Sequence, residues 1–176
     1  MRELEIDSIR VNLRSYQRVV ILKEKDRDRY LPIWIGMTEA DAIAFRLQEI
    51  TVARPQTHDL LASVLAELGA TVQQVVVNDM NNDIYYAKIH MDAGGRHIEV
   101  DSRPSDAIAL AVRAAVPIFA EEAVLERAGV VLNAQGEIEH PAEGAAPVSP
   151  EELERLGAFR DFISGLDLDD LGKKAT

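Results

Sequence analysis

The order in which the hydrophobic period changes along this chain constrains its fold more than any single motif. Residues 3–13 alternate apolar and polar, with a change of phase near Asp7-Ser8 that reads as a bulge. Val19–Leu22 is a short β-branched run, the pattern of a buried strand, and Leu31, Ile33 and Ile35 alternate with Tyr30, Pro32 and Trp34. Pro32 cannot donate to a ladder, so this third strand is expected at an edge or at a bulge. After Gly36 the period becomes helical. One helix is expected with Thr38 as cap and Ala40, Ile43, Ala44 and Leu47 as its apolar stripe. A second comes after Pro55, with Thr57 as cap, Leu61, Val64, Leu65 and Leu68 facing inward, and Gly69 as its stop. Three more strands come next, turned at Asn81-Asn82 and Gly94-Gly95, and then a helix opened by Pro104 that is apolar on nearly every side. Pro117 ends it, and a short helix covers roughly 121–128. The order β-β-β-α-α-β-β-β-α-α is not a βαβ alternation. It predicts an α+β fold, a mixed and largely antiparallel sheet with helices packed on it.

These elements end near residue 133, where the composition shifts to Ala, Gly, Pro and Glu. The chain of 176 residues therefore divides into a main domain over 1–133, a linker over 134–149 and an acidic tail over 150–176. Ser149-Pro150-Glu-Glu152 opens a short tail helix whose stripe is Leu153, Leu156, Phe159 and Ile163.

The net charge of −11 works against simple electrostatic capture of nucleic acid. Eight basic residues nevertheless fall within the first 29 positions, so a local basic surface is allowed. The absence of cysteine removes disulfides, thiolate metal sites and cysteine nucleophiles together. The first residues read as a strand rather than a leader, and no apolar run approaches a membrane span, so a cytoplasmic location is expected.

No phosphate-cradling glycine loop is present, and Ser63, Ser102 and Ser105 lack a nucleophile elbow. The four histidines never fall at a His-x-x-x-His spacing, and His90 and His97 are read as solvent-facing strand residues. What stands out is a concentration of carboxylates at the helix starts: Glu39, Asp59 beside His58, and Asp101 and Asp106 around the third. Such carboxylates can hold a hard cation with a substrate phosphate; they can equally do no more than stabilise helix dipoles. His58 at a helix N-terminus could act as a neutral base or merely cap. Asp106 and Arg113 lie two turns apart on one helix face, as a salt bridge or as a phosphate-contacting arginine with its neighbour.

Three stretches, Leu31-Pro-Ile-Trp-Ile-Gly36 with Glu39-Ala40, Arg54-Pro-Gln-Thr-His-Asp-Leu-Leu61, and Asp101-Ser-Arg-Pro-Ser-Asp-Ala-Ile-Ala-Leu-Ala111, together resemble the bifunctional nuclease family. The resemblance covers roughly residues 3–132 and departs at Ser102, where alanine is expected. It implies an unusual α+β fold and hydrolysis of both DNA and RNA. It also implies motif positions at Glu39, His58, Asp59, Asp101, Arg103, Ser105 and Asp106. On that basis Glu39, His58, Asp59, Asp101 and Asp106 are candidate catalytic residues, and Arg103 and Ser105 candidate substrate contacts; Arg113 joins the substrate contacts from its place on the third helix, not from the resemblance. Glu39, Asp101 and Asp106 would hold a divalent cation, Mg²⁺ by preference, with no organic cofactor. Nucleic acid and further copies of the chain are the expected partners. The residues alone equally allow a non-catalytic interaction module, or a small-molecule sensor with an apolar pocket near Trp34 and Tyr86.

Overall fold

The computed structural model describes residues 1–11, 17–132 and 138–141, and its sheet grows from local hairpins. β1 (Arg2–Val11) pairs antiparallel with β2 (Arg18–Glu24), and the register slips between Ile6 and Ser8, where the sequence changes phase. β2 pairs in turn with β3 (Tyr30–Ile35). Val19 to Leu22 are at most 1% exposed, so both faces of β2 are covered, as an uninterrupted apolar strand requires. After α1 (Met37–Leu47) and α2 (Thr57–Glu67), a second antiparallel set forms from β4 (Ala70–Asn81), β5 (Ile84–Ala93) and β6 (Arg96–Ser102). Its two-residue turns are Asn82-Asp83 and Gly94-Gly95. All four residues have positive φ, the conformation that lets a tight hairpin adopt the strand twist. The first turn is thus one residue beyond the expected Asn81-Asn82.

α3 (Pro104–Ala114) begins with proline at its first position and is buried from Ala107 to Ala111, the deepest stretch of any helix among the described residues. α3 stops where Ala115 turns left-handed, two residues before Pro117, and the next element is β7 (Ile118–Ala120), a strand too short to register as a period. It lies between β4, to which it is parallel, and β1, to which it is antiparallel. α4 (Glu122–Ala128) and β8 (Val130–Leu132) come after it. β9 (Ile138–Pro141) pairs with β8 inside the stretch expected to be linker. The sheet order is β6-β5-β4-β7-β1-β2-β3-β8-β9, mixed and mostly antiparallel. The tail helix falls outside the described residues.

One contiguous core joins Val20, Leu22, Leu31, Val75, Val77 and Ile89 of the sheet to Ile43, Ile108, Leu110 and Leu125 of the helices. Each such side chain contributes about 1.5–3 kcal/mol on burial. β3 meets β8 only at Tyr30, so Pro32 stands where the second edge is open, as its missing N–H demands. Trp34 and Tyr86 are both exposed rather than gathered round a pocket.

Two helices are seated differently from expectation. α1 is capped by Gly36, not Thr38, because the Gly36 carbonyl already accepts from the Ala40 N–H. α2 is capped by Gln56, not Thr57, and turns His58, Ala62 and Leu65 inward. Leu61, Val64 and Leu68 remain exposed, with Leu68 at 75%. Polar anchors at the start of α2 set its rotation against the apolar stripe.

At the far side of the core, Glu24 and Arg29 are buried together. Arg29 Nε donates to Glu24 Oε2 at 2.8 Å, and its Nη2 donates to Glu122 Oε1 at 2.7 Å. Arg2 Nε donates to the other Glu122 oxygen at 2.6 Å. This network ties β1 and β2 to α4.

Candidate functional site at three helix starts

The sheet and its loops bring the first turns of α1, α2 and α3 together. Arg103, the residue before α3, is the hub. Its Nε donates to Asp106 Oδ2 at 2.7 Å, and its Nη2 donates to Glu39 Oε1 at 2.8 Å and to Asp106 Oδ1 at 3.1 Å. Glu39 reaches it by folding back over Gly36, where any Cβ would collide with the Glu39 carboxylate. A side chain at position 36 would therefore push the Glu39 carboxylate away from this place. His58 Nε2 lies 3.0 Å from Asp106 Oδ1, completing the connection to α2.

Burial alone would raise the Asp106 carboxyl, but hydrogen bonds from Arg103 and His58 hold it below the ordinary carboxylate value. It is therefore ionised at neutral pH and can only accept. His58 must then donate through Nε2, and in the neutral imidazole that leaves Nδ1 with the lone pair. The His58 side chain is 10% exposed and that of Arg103 67%, so the imidazole is held and the guanidinium is presented to solvent.

Arg113 and Asp59 form a separate clasp. Arg113 Nε donates to Asp59 Oδ1 at 2.5 Å and Nη2 to Gln56 Oε1 at 3.1 Å. Nη1 donates to the carbonyls of Ala42 and Ala109 at 3.2 and 2.9 Å. The Gln56 N–H donates to Asp59 Oδ2 at 2.8 Å. That bond first, and Arg113 after it, hold the Asp59 carboxyl below its ordinary value against the effect of burial. Asp106 and Arg113 do share a helix face, but they do not pair with each other. Each grips α2 at a different residue, His58 and Asp59. Arg113, only 6% exposed and engaged on four acceptors, is a tie among three helices and not an open phosphate contact.

Ser105 is buried in the first turn of α3. Asp101 stands apart. It is the register partner of Lys88, and the pleat sends both to the sheet face opposite the core residues Ala87 and Ile89. Glu39, Asp101 and Asp106 consequently do not present ligand atoms within 4.8 Å of one another; among the described residues the only such trio is His90, His97 and Glu99. Gln56, the acceptor that completes the clasp, is not among the residues the sequence singles out. Its signal is the spacing of a helix cap to Asp59 three residues on.

The model of the bifunctional nuclease domain matches residues 20–133, which takes in every residue of this cluster. The chain belongs to the bifunctional nuclease domain family. An uncharacterized protein of Mycobacterium tuberculosis is 40% identical over 164 residues, 93% of this chain and 96% of that one. Bifunctional nuclease 1 of Oryza sativa subsp. japonica is 29% identical over 106 residues, 58% of this chain but 32% of the plant protein. Bifunctional nuclease 1 of Arabidopsis thaliana is 26% identical over 127 residues, 70% and 39% of the two chains. Both plant alignments thus leave more than half of the longer protein unmatched. Among the described residues no helix is long and apolar enough to cross a membrane.

Proposed function

We propose that this chain hydrolyses phosphodiester bonds of DNA and RNA, with little sequence preference, where the three helix starts meet. The observation that carries the reading is the continuous chain Glu39–Arg103–Asp106–His58, which pairs an oriented imidazole with an exposed guanidinium. His58, held by Asp106, takes a proton at Nδ1 from a water whose oxygen bonds to phosphorus; the bond from phosphorus to the leaving nucleotide oxygen breaks, and the imidazolium or solvent returns a proton to that oxygen. Arg103 leaves its carboxylates to bind the scissile phosphate. A phosphate contact carries no base information, which suits a substrate range spanning both nucleic acids.

The donor set fits a divalent cation in kind. Glu39 Oε1 and Asp106 Oδ1 already converge on one cationic nitrogen, Arg103 Nη2. Mg²⁺ held by these two carboxylates, without Asp101, would polarise the phosphoryl oxygens when bound. Cleavage of single-stranded DNA and RNA, assayed with Mg²⁺ and with EDTA, tests the reading. Arg103→Ala is expected to lower kcat/KM about 10–100-fold through the lost charged hydrogen bonds. Metal-independent cleavage would remove the cation, and no cleavage under any condition would remove the enzyme.

Assembly into a homo-oligomer is the companion proposal, supported by the exposed row Leu60, Leu61, Val64 and Leu68 on α2. The same row favours the rival reading of a non-catalytic interaction module. Leu61→Glu is expected to lower the molar mass measured by sedimentation without lowering the melting temperature; an unchanged mass would discard this face as the interface.

A further inference from the structure

We propose that His90, His97 and Glu99 form a second site, holding one transition-metal cation of the zinc class on the sheet face opposite the helical core. His90 lies between Ile89 and Met91, both core residues, so its ring projects to the other face. Glu99 is its register partner on β6, and His97 is the partner of Asp92. All three side chains therefore stand on one face, the two histidines as diagonal neighbours across the hairpin.

The distances fit the cation. His90 Nδ1 and His97 Nε2 are 3.3 Å apart, and each is 3.7 Å from Glu99 Oε1. A point equidistant from the three atoms lies about 2.1 Å from each, within the range of zinc–nitrogen and zinc–oxygen bonds. A hydrogen bond between the rings would employ one lone pair, whereas a cation employs both. Lys88 Nζ donates to Glu99 Oε2 at 2.8 Å and so leaves Oε1 turned toward the histidines, as an orienting partner of a metal ligand does. Two imidazoles and one carboxylate select a borderline cation over Mg²⁺. Three protein ligands leave a fourth position for water, and the His97 side chain, 56% exposed, opens it to solvent. The site shares no residue with the cluster at the helix starts and does not depend on the nuclease reading.

The test is titration of the chelator-treated full-length chain with Co²⁺, read by visible absorption, and with Zn²⁺, read by calorimetry. One tightly bound ion per chain is expected, with the intense absorption of a four-coordinate Co²⁺ centre that two carboxylates alone would not give. His97→Ala and Glu99→Gln should each weaken binding by at least about tenfold. His58→Gln, which removes a histidine from the other cluster, should leave it unchanged. Melting of the metal-free variants at the wild-type temperature establishes that they are folded. The proposal is overturned by the absence of saturable binding, by equal affinity in all variants, or by a loss confined to His58→Gln.

Discussion

Replacing His58 with glutamine is expected to lower the cleavage rate by about 10²–10⁴-fold, the usual contribution of a positioned general base, with little change in substrate affinity. The argument rests on protonation states. Asp106 lies below its ordinary carboxylate value and is an acceptor only, so the bond of 3.0 Å to His58 needs the proton on Nε2. Nδ1 is left as the basic atom. Glutamine retains a donor for Asp106 and keeps α2 docked, but offers no base in the neutral pH range. The measurement is kcat and KM against pH for both proteins, with melting curves beside them. A fall in kcat with KM retained is expected. An unchanged kcat would make His58 a tie between helices and nothing more.

Arg29→Met is expected to destabilise the fold severely, by about 3–5 kcal/mol, the range for removing one partner of a buried ion pair. For a chain of this size that corresponds to a fall in Tm of about 6–20 °C. Glu24 is 1% exposed, and Arg29 supplies its short hydrogen bond, while Glu24 Oε1 has no hydrogen-bond partner. Without Arg29 the buried carboxylate keeps only the longer approach of Arg2, whose Nε lies 3.7 Å from Oε1, and loses its hydrogen bond. Converting Glu24 to Gln as well should recover most of the loss, because the penalty comes from the stranded charge. Thermal melts of the two single variants and the double variant measure this directly. The network also responds to pH. Arg2 and Arg29 lower the Glu122 carboxyl from 4.5 to about 2. Its contribution is therefore complete above pH 4.5 and is lost as the pH falls through about 2. In Arg29→Met the acid limb should flatten across that window; an unaltered limb would mean Arg2 suffices alone.

Local rules carried far in this molecule where the backbone decides matters. The bulge by Asp7, the turn at Gly94-Gly95, proline at the head of α3 and the placement of Pro32 each come from one residue's stereochemistry. They failed where tertiary partners override a stripe. Leu61, Val64 and Leu68 have the spacing of a buried face, yet His58 and Asp59, held by Asp106 and Arg113, rotate α2 so that this face looks outward. The resemblance located the helix starts, and the fold joins them through Arg103. Asp101 illustrates the remaining difficulty. Two residues from Arg103 in sequence, it ends on the other side of a pleated strand, a distinction that spacing alone does not carry without the register. His90 and His97 escaped for the converse reason. The His-x-x-x-His rule belongs to helices, whereas a hairpin makes neighbours of residues separated by the length of its turn.

β7 joins the two halves of the sheet through three residues. Each half is otherwise built mainly of hairpins whose contacts are close along the chain, the kind that form quickly, the exception being the single bridge of β3 to β8 at Tyr30 and Val130. β7 is the opposite case, since its partner β1 lies more than a hundred residues earlier. Closing so long a loop carries an entropic cost that only the finished interface repays. Two meanders can thus take shape independently, and the moment at which they become one molecule is the docking of Ile118, Phe119 and Ala120. During synthesis that moment comes only after α3 has left the ribosome, so the early strands wait with an open edge until the third helix is made.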